Sequence, residues 1–179
     1  MSIEIVFETH ALTEDNERGI ATGWLPGRLG ERGRANAAEM GRRRRDDGIV
    51  AVFTSDLRRA AETAEIAFGD TGIPILYDWR LRECDFGARN GSPAAEVKRD
   101  RLDFCERPYP GGESHGQAIA RVARFLADLP TRWADRRVML IGHLATYRGL
   151  EHVTTGLPVQ DLVKADFQWR ADGWEYRLG

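Results

Sequence analysis

The sequence predicts an α/β domain whose mostly parallel sheet is covered by helices on both faces, and three observations carry that expectation. Short β-branched runs at residues 3–7, 49–53 and 138–141, with a weaker one at 73–77, have the length and the polar or glycine flanks of buried strands. Helical signals fill the intervals, at residues 31–47, 57–68 and 114–129. The chain is also of single-domain size: 179 residues with 42% hydrophobic side chains can bury about 70% of the unfolded surface in one core.

Taken in order, Ile3, Ile5, Val6 and Phe7 open the first strand, and the stretch 31–47 ends in the basic run Arg42 to Arg45. Asp46 and Asp47 follow at once, so this run reads as a solvated helix face rather than a polyanion site. The helix at 114–129 is the clearest, with Ile119, Val122, Leu126 and Leu129 on one stripe, Ser114 as its cap and Pro130 beyond its end. Phe167, Trp169, Trp174 and Tyr176 predict a closing strand pair that completes the core.

Composition narrows the function. Twenty-six basic against 28 acidic residues leave a net charge of −2, so no global field for nucleic acid exists and any anion site must be local. Cys84 and Cys105 stand far apart with no CxxC, which fits neither a disulfide scaffold nor a zinc site and predicts a cytoplasmic setting. No window is apolar enough to span a membrane and the N-terminus lacks the pattern of a signal peptide.

In open α/β sheets ligands bind outside the carboxyl ends of the strands. Thr9 and His10 follow the first run, Thr54, Ser55, Arg58 and Arg59 the second, Gly142 and His143 the third, and Arg82 and Glu83 the fourth. Two imidazoles, a guanidinium and a carboxylate without a metal motif suit phosphoryl transfer. A neutral imidazole attacks phosphorus, cationic donors hold its oxygens, and a carboxylic acid protonates the leaving oxygen. Neither a metal nor a cofactor is expected, and the expected partner is a small phosphorylated metabolite, without nucleic acid or membrane; a homodimer is compatible with the chain.

The segment from Ser55 through Arg59 to Ala64 resembles the second signature of the histidine phosphatase superfamily, also called the phosphoglycerate mutase-like family. Leu81-Arg82-Glu83-Cys84-Asp85-Phe86-Gly87, Pro110-Gly111-Gly112-Glu113-Ser114 and the stretch from Val138 to Arg148 resemble its later motifs in order. Thr9-His10-Ala11-Leu12-Thr13 with Asn16, then Thr22-Gly23-Trp24, is similar to its nucleophile loop and the substrate-facing stretch after it. The resemblance implies a three-layer α/β/α sandwich with His10 as nucleophile, Arg59 and His143 on the phosphoryl oxygens and Glu83 as proton donor. It also implies substrate contacts at Thr9, Asn16, Thr22, Gly23 and Leu144, with Trp24 as a pocket wall.

The resemblance further implies an arginine where Thr9 stands and glycines where Leu144 and Ala145 stand. A missing charge-assisted contact costs roughly 1.5–3 kcal/mol. Arg18, Arg28, Arg89 and Arg148 are the candidates to replace it. The expected reaction is metal-independent hydrolysis of a small phosphomonoester through a phosphohistidine, with residues 82–110 enclosing the substrate. Mutase-type phosphoryl transfer and an anion-binding module without turnover are the alternatives. Gly112-Glu113-Ser114-His115-Gly116 matches the pattern of a serine hydrolase elbow, but the segment before it is a poor strand.

Overall fold

The structure, a computed structural model, describes residues 2–179. Its strands are β1 (Ile3–Thr9), β2 (Ile20–Ala21), β3 (Val52–Thr54), β4 (Ile75–Tyr77), β5 (Ser92–Pro93), β6 (Arg137–Gly142) and β7 (Trp174–Leu178). The α-helices are α1 (Glu14–Glu17), α2 (Glu31–Arg44), α3 (Arg58–Phe68), α4 (Ala94–Asp100), α5 (His115–Trp133), α6 (Leu144–Thr155) and α7 (Val159–Lys164). The main sheet runs β4-β3-β6-β1-β7, parallel except for β7, while β2 and β5 form a separate small ribbon. No helix among the described residues is long and apolar enough to cross a membrane.

Side-chain alternation along β1 makes the three layers. Ile3, Ile5 and Phe7 enter a core with Val122, Phe125 and Leu126 of α5 and Leu150 of α6. Val6 faces the other way, into a core with Met40 of α2 and Ala64, Ala67 and Phe68 of α3. Glu8 shares that second face and is only 5% exposed. Arg43 and Arg44 reach back to neutralise it, with nitrogen to oxygen distances of 2.8–3.1 Å. The basic run is therefore not uniformly solvated: side chains of Arg42 and Arg45 are 64% and 42% exposed, but that of Arg44 only 11%.

Two further expectations need correction. Helix α5 does not stop before Pro130 but contains it and runs to Trp133, whose ring packs edge-on against Phe53 at 5.6 Å. That contact rewards the extra turn despite the amide hydrogen the proline lacks. The C-terminal stretch forms one strand rather than a pair: β7 lies antiparallel to β1, and Phe167 and Trp174 pack against each other and against Tyr147 of α6. Ser114 caps α5 as expected, its hydroxyl accepting from Gln117 N at 3.0 Å, so it is no hydrolase nucleophile.

Candidate active site

Register brings the histidines together. In the parallel pair β1–β6, Thr9 is opposite Gly142, so His10 and His143 leave the sheet side by side, and His10 N donates to Gly142 O at 2.9 Å. Their ring centroids are 5.1 Å apart. On the other side of β6, Thr54 is opposite Ile141, which delivers Ser55 to the same edge, its Oγ 2.6 Å from His143 Nε2. Gly142 is required at the strand end, because a Cβ there would lie 2.3 Å from Thr146 Oγ1. Gly33 of α2 plays the same part below the loop that follows β1, where a Cβ would meet Leu12 O at 1.8 Å.

Hydrogen bonding fixes the His10 tautomer. Nδ1 lies 2.8 Å from Ala11 O, and a carbonyl can only accept, so Nδ1 carries the proton and Nε2 the lone pair. Arg59 Nε–H donates toward that lone pair at 3.3 Å. Burial and the Arg59 charge pull His10 down to about 3, although its bond to Ala11 O opposes them, so the ring is neutral at any ordinary pH. His143 is driven well below its usual value by burial and by the nearby Arg59 and His10, and its Nδ1 is buried without a partner. The remaining Arg59 bonds go to Gly23 O at 2.7 Å and Leu25 O at 3.2 Å.

Glu83 arrives from β4 through a turn capped by Asp78, whose side chain accepts from Arg80 N. Its Oε1 accepts from Cys84 N at 2.9 Å and Ala145 N at 3.1 Å, and its Oε2 from Leu144 N at 3.2 Å. Two of these amides open α6 and aim its first free donors at the Glu83 carboxyl, which fixes its position. Behind it, Arg121 is 1% exposed, donates to the carbonyls of Arg80, Arg82 and Glu83, and grips both oxygens of Glu113.

A cavity of about 640 Å³ opens on this edge, lined by Thr9, His10, Asn16, Glu83, His143 and Leu144 at its inner end. Arg59 stands behind His10 rather than on the wall. Asn16 closes the capping box of α1 through its Oδ1, which accepts from Thr13 N at 3.1 Å and leaves its amide nitrogen.

Four further expectations differ from the structure. Thr22 and Gly23 are not on the lining: the Thr22 hydroxyl donates to Asp15 at 2.8 Å, and Gly23, with φ of +56°, offers its carbonyl to Arg59. Trp24 is also turned away, its indole N–H donating to Glu83 O at 2.7 Å beneath the Arg82 guanidinium. Arg18, Arg28 and Arg89 are paired with Glu14 or Asp15, Glu14 and Asp100, and Arg148 is buried against His115, so none reaches the cavity. The outer walls come instead from Arg32, Asn36, Glu39 and Arg43 of α2 and from residues 167–171, not from the 82–110 segment. Among the described residues no three His, Cys, Asp or Glu side chains gather as a metal-ligand set.

The histidine phosphatase superfamily (branch 1) matches residues 5–169. A 2,3-bisphosphoglycerate-dependent phosphoglycerate mutase of Methylobacterium sp. (strain 4-46) is 31% identical, the alignment covering 97% of this chain and 90% of that protein. The mutase of the same description from Methylobacterium radiotolerans is 36% identical over 86% of this chain and 79% of its own length. Among solved structures, one described as mycobacterial hydrolase 1 superposes with a TM-score of 0.84 at 25% identity, covering 99% of this chain and 91% of its own. A mycobacterial glucosyl-3-phosphoglycerate phosphatase in complex with VO3 reaches a TM-score of 0.81 at 26% identity, over 99% of this chain and 92% of that one. With the family's match spanning nearly the whole chain, this protein belongs to the histidine phosphatase superfamily.

Proposed function

We propose that the chain is a metal-independent phosphatase that hydrolyses a small-molecule phosphomonoester through a phosphohistidine at His10. The observation that carries this reading is the state of His10: a neutral ring on the cavity lining, its proton held on Nδ1 by Ala11 O, its Nε2 met only by the Arg59 N–H, and its centroid 5.1 Å from that of His143. In the first step the Arg59 N–H gives up the Nε2 lone pair, which attacks phosphorus, and the Arg59 charge beside the ring favours the phosphoryl anion. The ester P–O bond breaks and the Glu83 carboxylic proton passes to the leaving oxygen, releasing the alcohol. A water molecule then attacks the phosphohistidine, the P–N bond breaks, and Glu83 takes the proton as phosphate leaves.

The Ser55 hydroxyl can donate to His143 Nε2, which puts the His143 proton on the unpartnered Nδ1, ready for a phosphoryl oxygen. Asn16 and Thr9 supply neutral donors in the same pocket, and the Leu144 wall excludes water on that side. Mutase-type transfer is the competing reading, favoured by the description of the two Methylobacterium relatives. The purified protein is incubated with a panel of metabolite phosphates in the presence of chelator. Phosphate release that disappears in His10→Ala supports hydrolysis, isomerisation of a phosphoglycerate without net phosphate release supports the mutase, and release that survives in His10→Ala refutes both.

A further inference from the structure

A phosphoryl group fills only a fraction of the cavity. A volume of about 640 Å³ belongs to the class of pockets, roughly 300–1,000 Å³, that enclose a whole ring-bearing ligand. It continues from His10 along the polar face of α2, beneath residues 167–171. The charges on that outer part are not balanced. Glu8 is neutralised by Arg43 and Arg44, and Glu39 by Arg42. That leaves Arg32, which reaches Glu17 only at 3.6 Å with a side chain 79% exposed, and Arg170, which rests 5.7 Å from the Trp174 ring centroid.

The aromatic groups show the same division. Phe167 is locked between Tyr147 and Trp174, and Arg44 ties the Asp172 carbonyl, so the segment is anchored on both sides. Between those anchors Trp169 is 66% exposed and, among the described residues, pairs with no other aromatic ring or guanidinium, yet it lines the cavity. An anchored segment that presents one bare indole beside two under-used guanidiniums has the makings of a recognition site.

Building on the phosphatase reading, we propose that the outer half of the cavity is a leaving-group subsite for phosphomonoesters whose alcohol carries a planar ring and a second anionic group. Trp169 takes the ring by stacking, and the Arg32 and Arg170 guanidiniums take the anion, for which their planar forks are suited. A three-carbon phosphate would leave these groups in water.

Three probes separate the contributions: adenosine 3′,5′-bisphosphate, with ring and second anion; 4-nitrophenyl phosphate, with the ring alone; and glycerol 1-phosphate, with neither. The expected order of kcat/KM follows that sequence. Trp169→Ala lowers the ratio of either ring substrate to glycerol 1-phosphate about tenfold, mainly through KM, the size of one base–aromatic stacking contact. Arg170→Gln lowers the bisphosphate relative to 4-nitrophenyl phosphate, also about tenfold. Both side chains are exposed, so the variants keep the fold. Ratios unchanged in both variants, or glycerol 1-phosphate as the best substrate, overturn the subsite. Calorimetric binding of adenosine 3′,5′-bisphosphate to His10→Ala separates this claim from the reaction. Saturable binding weakened by Trp169→Ala supports the subsite even if no ester is hydrolysed, and absence of binding overturns it.

Discussion

Arg121 offers the sharpest link between stability and chemistry. Replacing it by methionine keeps much of the apolar stem but removes five hydrogen bonds, two to Glu113 and three to the carbonyls of Arg80, Arg82 and Glu83. The guanidinium is 1% exposed and the Glu113 side chain 19%, so the carboxylate left behind is largely desolvated. Breaking such a pair costs about 3–5 kcal/mol. At about 2.1 cal/mol/K per residue the unfolding entropy of this chain is about 0.38 kcal/mol/K, so the melting temperature should drop by about 8–13 °C. The double variant Arg121→Met/Glu113→Gln removes the stranded charge and should recover about 1–2 kcal/mol. Its kcat should stay low, because the Arg80 and Arg82 carbonyls remain without the guanidinium and Glu83 O keeps only the Trp24 indole. Thermal unfolding by circular dichroism, with kcat measured well below the transition, tests both halves. A melting shift under about 3 °C, or full destabilisation with an unchanged kcat, would refute the brace.

Three other outcomes are expected. Because His10 is held near 3, protonation of the nucleophile should not lower kcat/KM between pH 7 and 5, whereas a ring at the usual 6.5 would lose most of its neutral form by pH 5; a slope of one starting near 6.5 would contradict the buried neutral tautomer. His115, lying between Tyr109 and Arg148, is pulled down to about 3 mainly by burial, so folding stability is full above 6.5 and falls as the pH drops toward 3, by about 1.4 kcal/mol per pH unit for this residue. Urea unfolding of His115→Gln across that range should show a shallower dependence than the parent by about that slope. Gly33→Ala drives a Cβ into the Leu12 carbonyl and should cost about 1–3 kcal/mol while displacing the nucleophile loop; Gly19→Ala, at an open position with positive φ, should affect stability without a comparable loss of kcat.

The parts of the site that sequence revealed are those set by buried parallel strands. Apolar runs locate β1, β3 and β6, and one register step past their ends fixes His10, Ser55 and His143, so the convergence could be read before any coordinates. Glu83 was legible for the same reason, although the Arg121 brace that holds its segment was not, since hydrogen bonds to distant carbonyls leave no periodic trace. Thr22, Gly23 and Trp24 misled because polar and aromatic groups near a nucleophile can serve the protein's own buried donors and acceptors instead of a ligand. The cavity wall was hidden more thoroughly. Arg32, Asn36, Glu39 and Arg43 recur at helical spacing on one face of α2, the pattern of an ordinary solvated helix, and only the fold of residues 167–171 over that face turns it into a wall.

The place of β1 has a kinetic meaning as well. Residues 3–9 pair with 137–142 on one side and with 174–178 on the other, so the strand that carries the nucleophile waits for both partners across most of the chain. Closing such long loops costs entropy before any pairing repays it, which places the main sheet among slowly formed, high-contact-order structures. During synthesis β1 must remain an open edge, exposed to wrong pairing, until β7 has left the ribosome. A chain shortened by the last strand would present that edge permanently, and self-association should precede any loss of the chemical groups themselves.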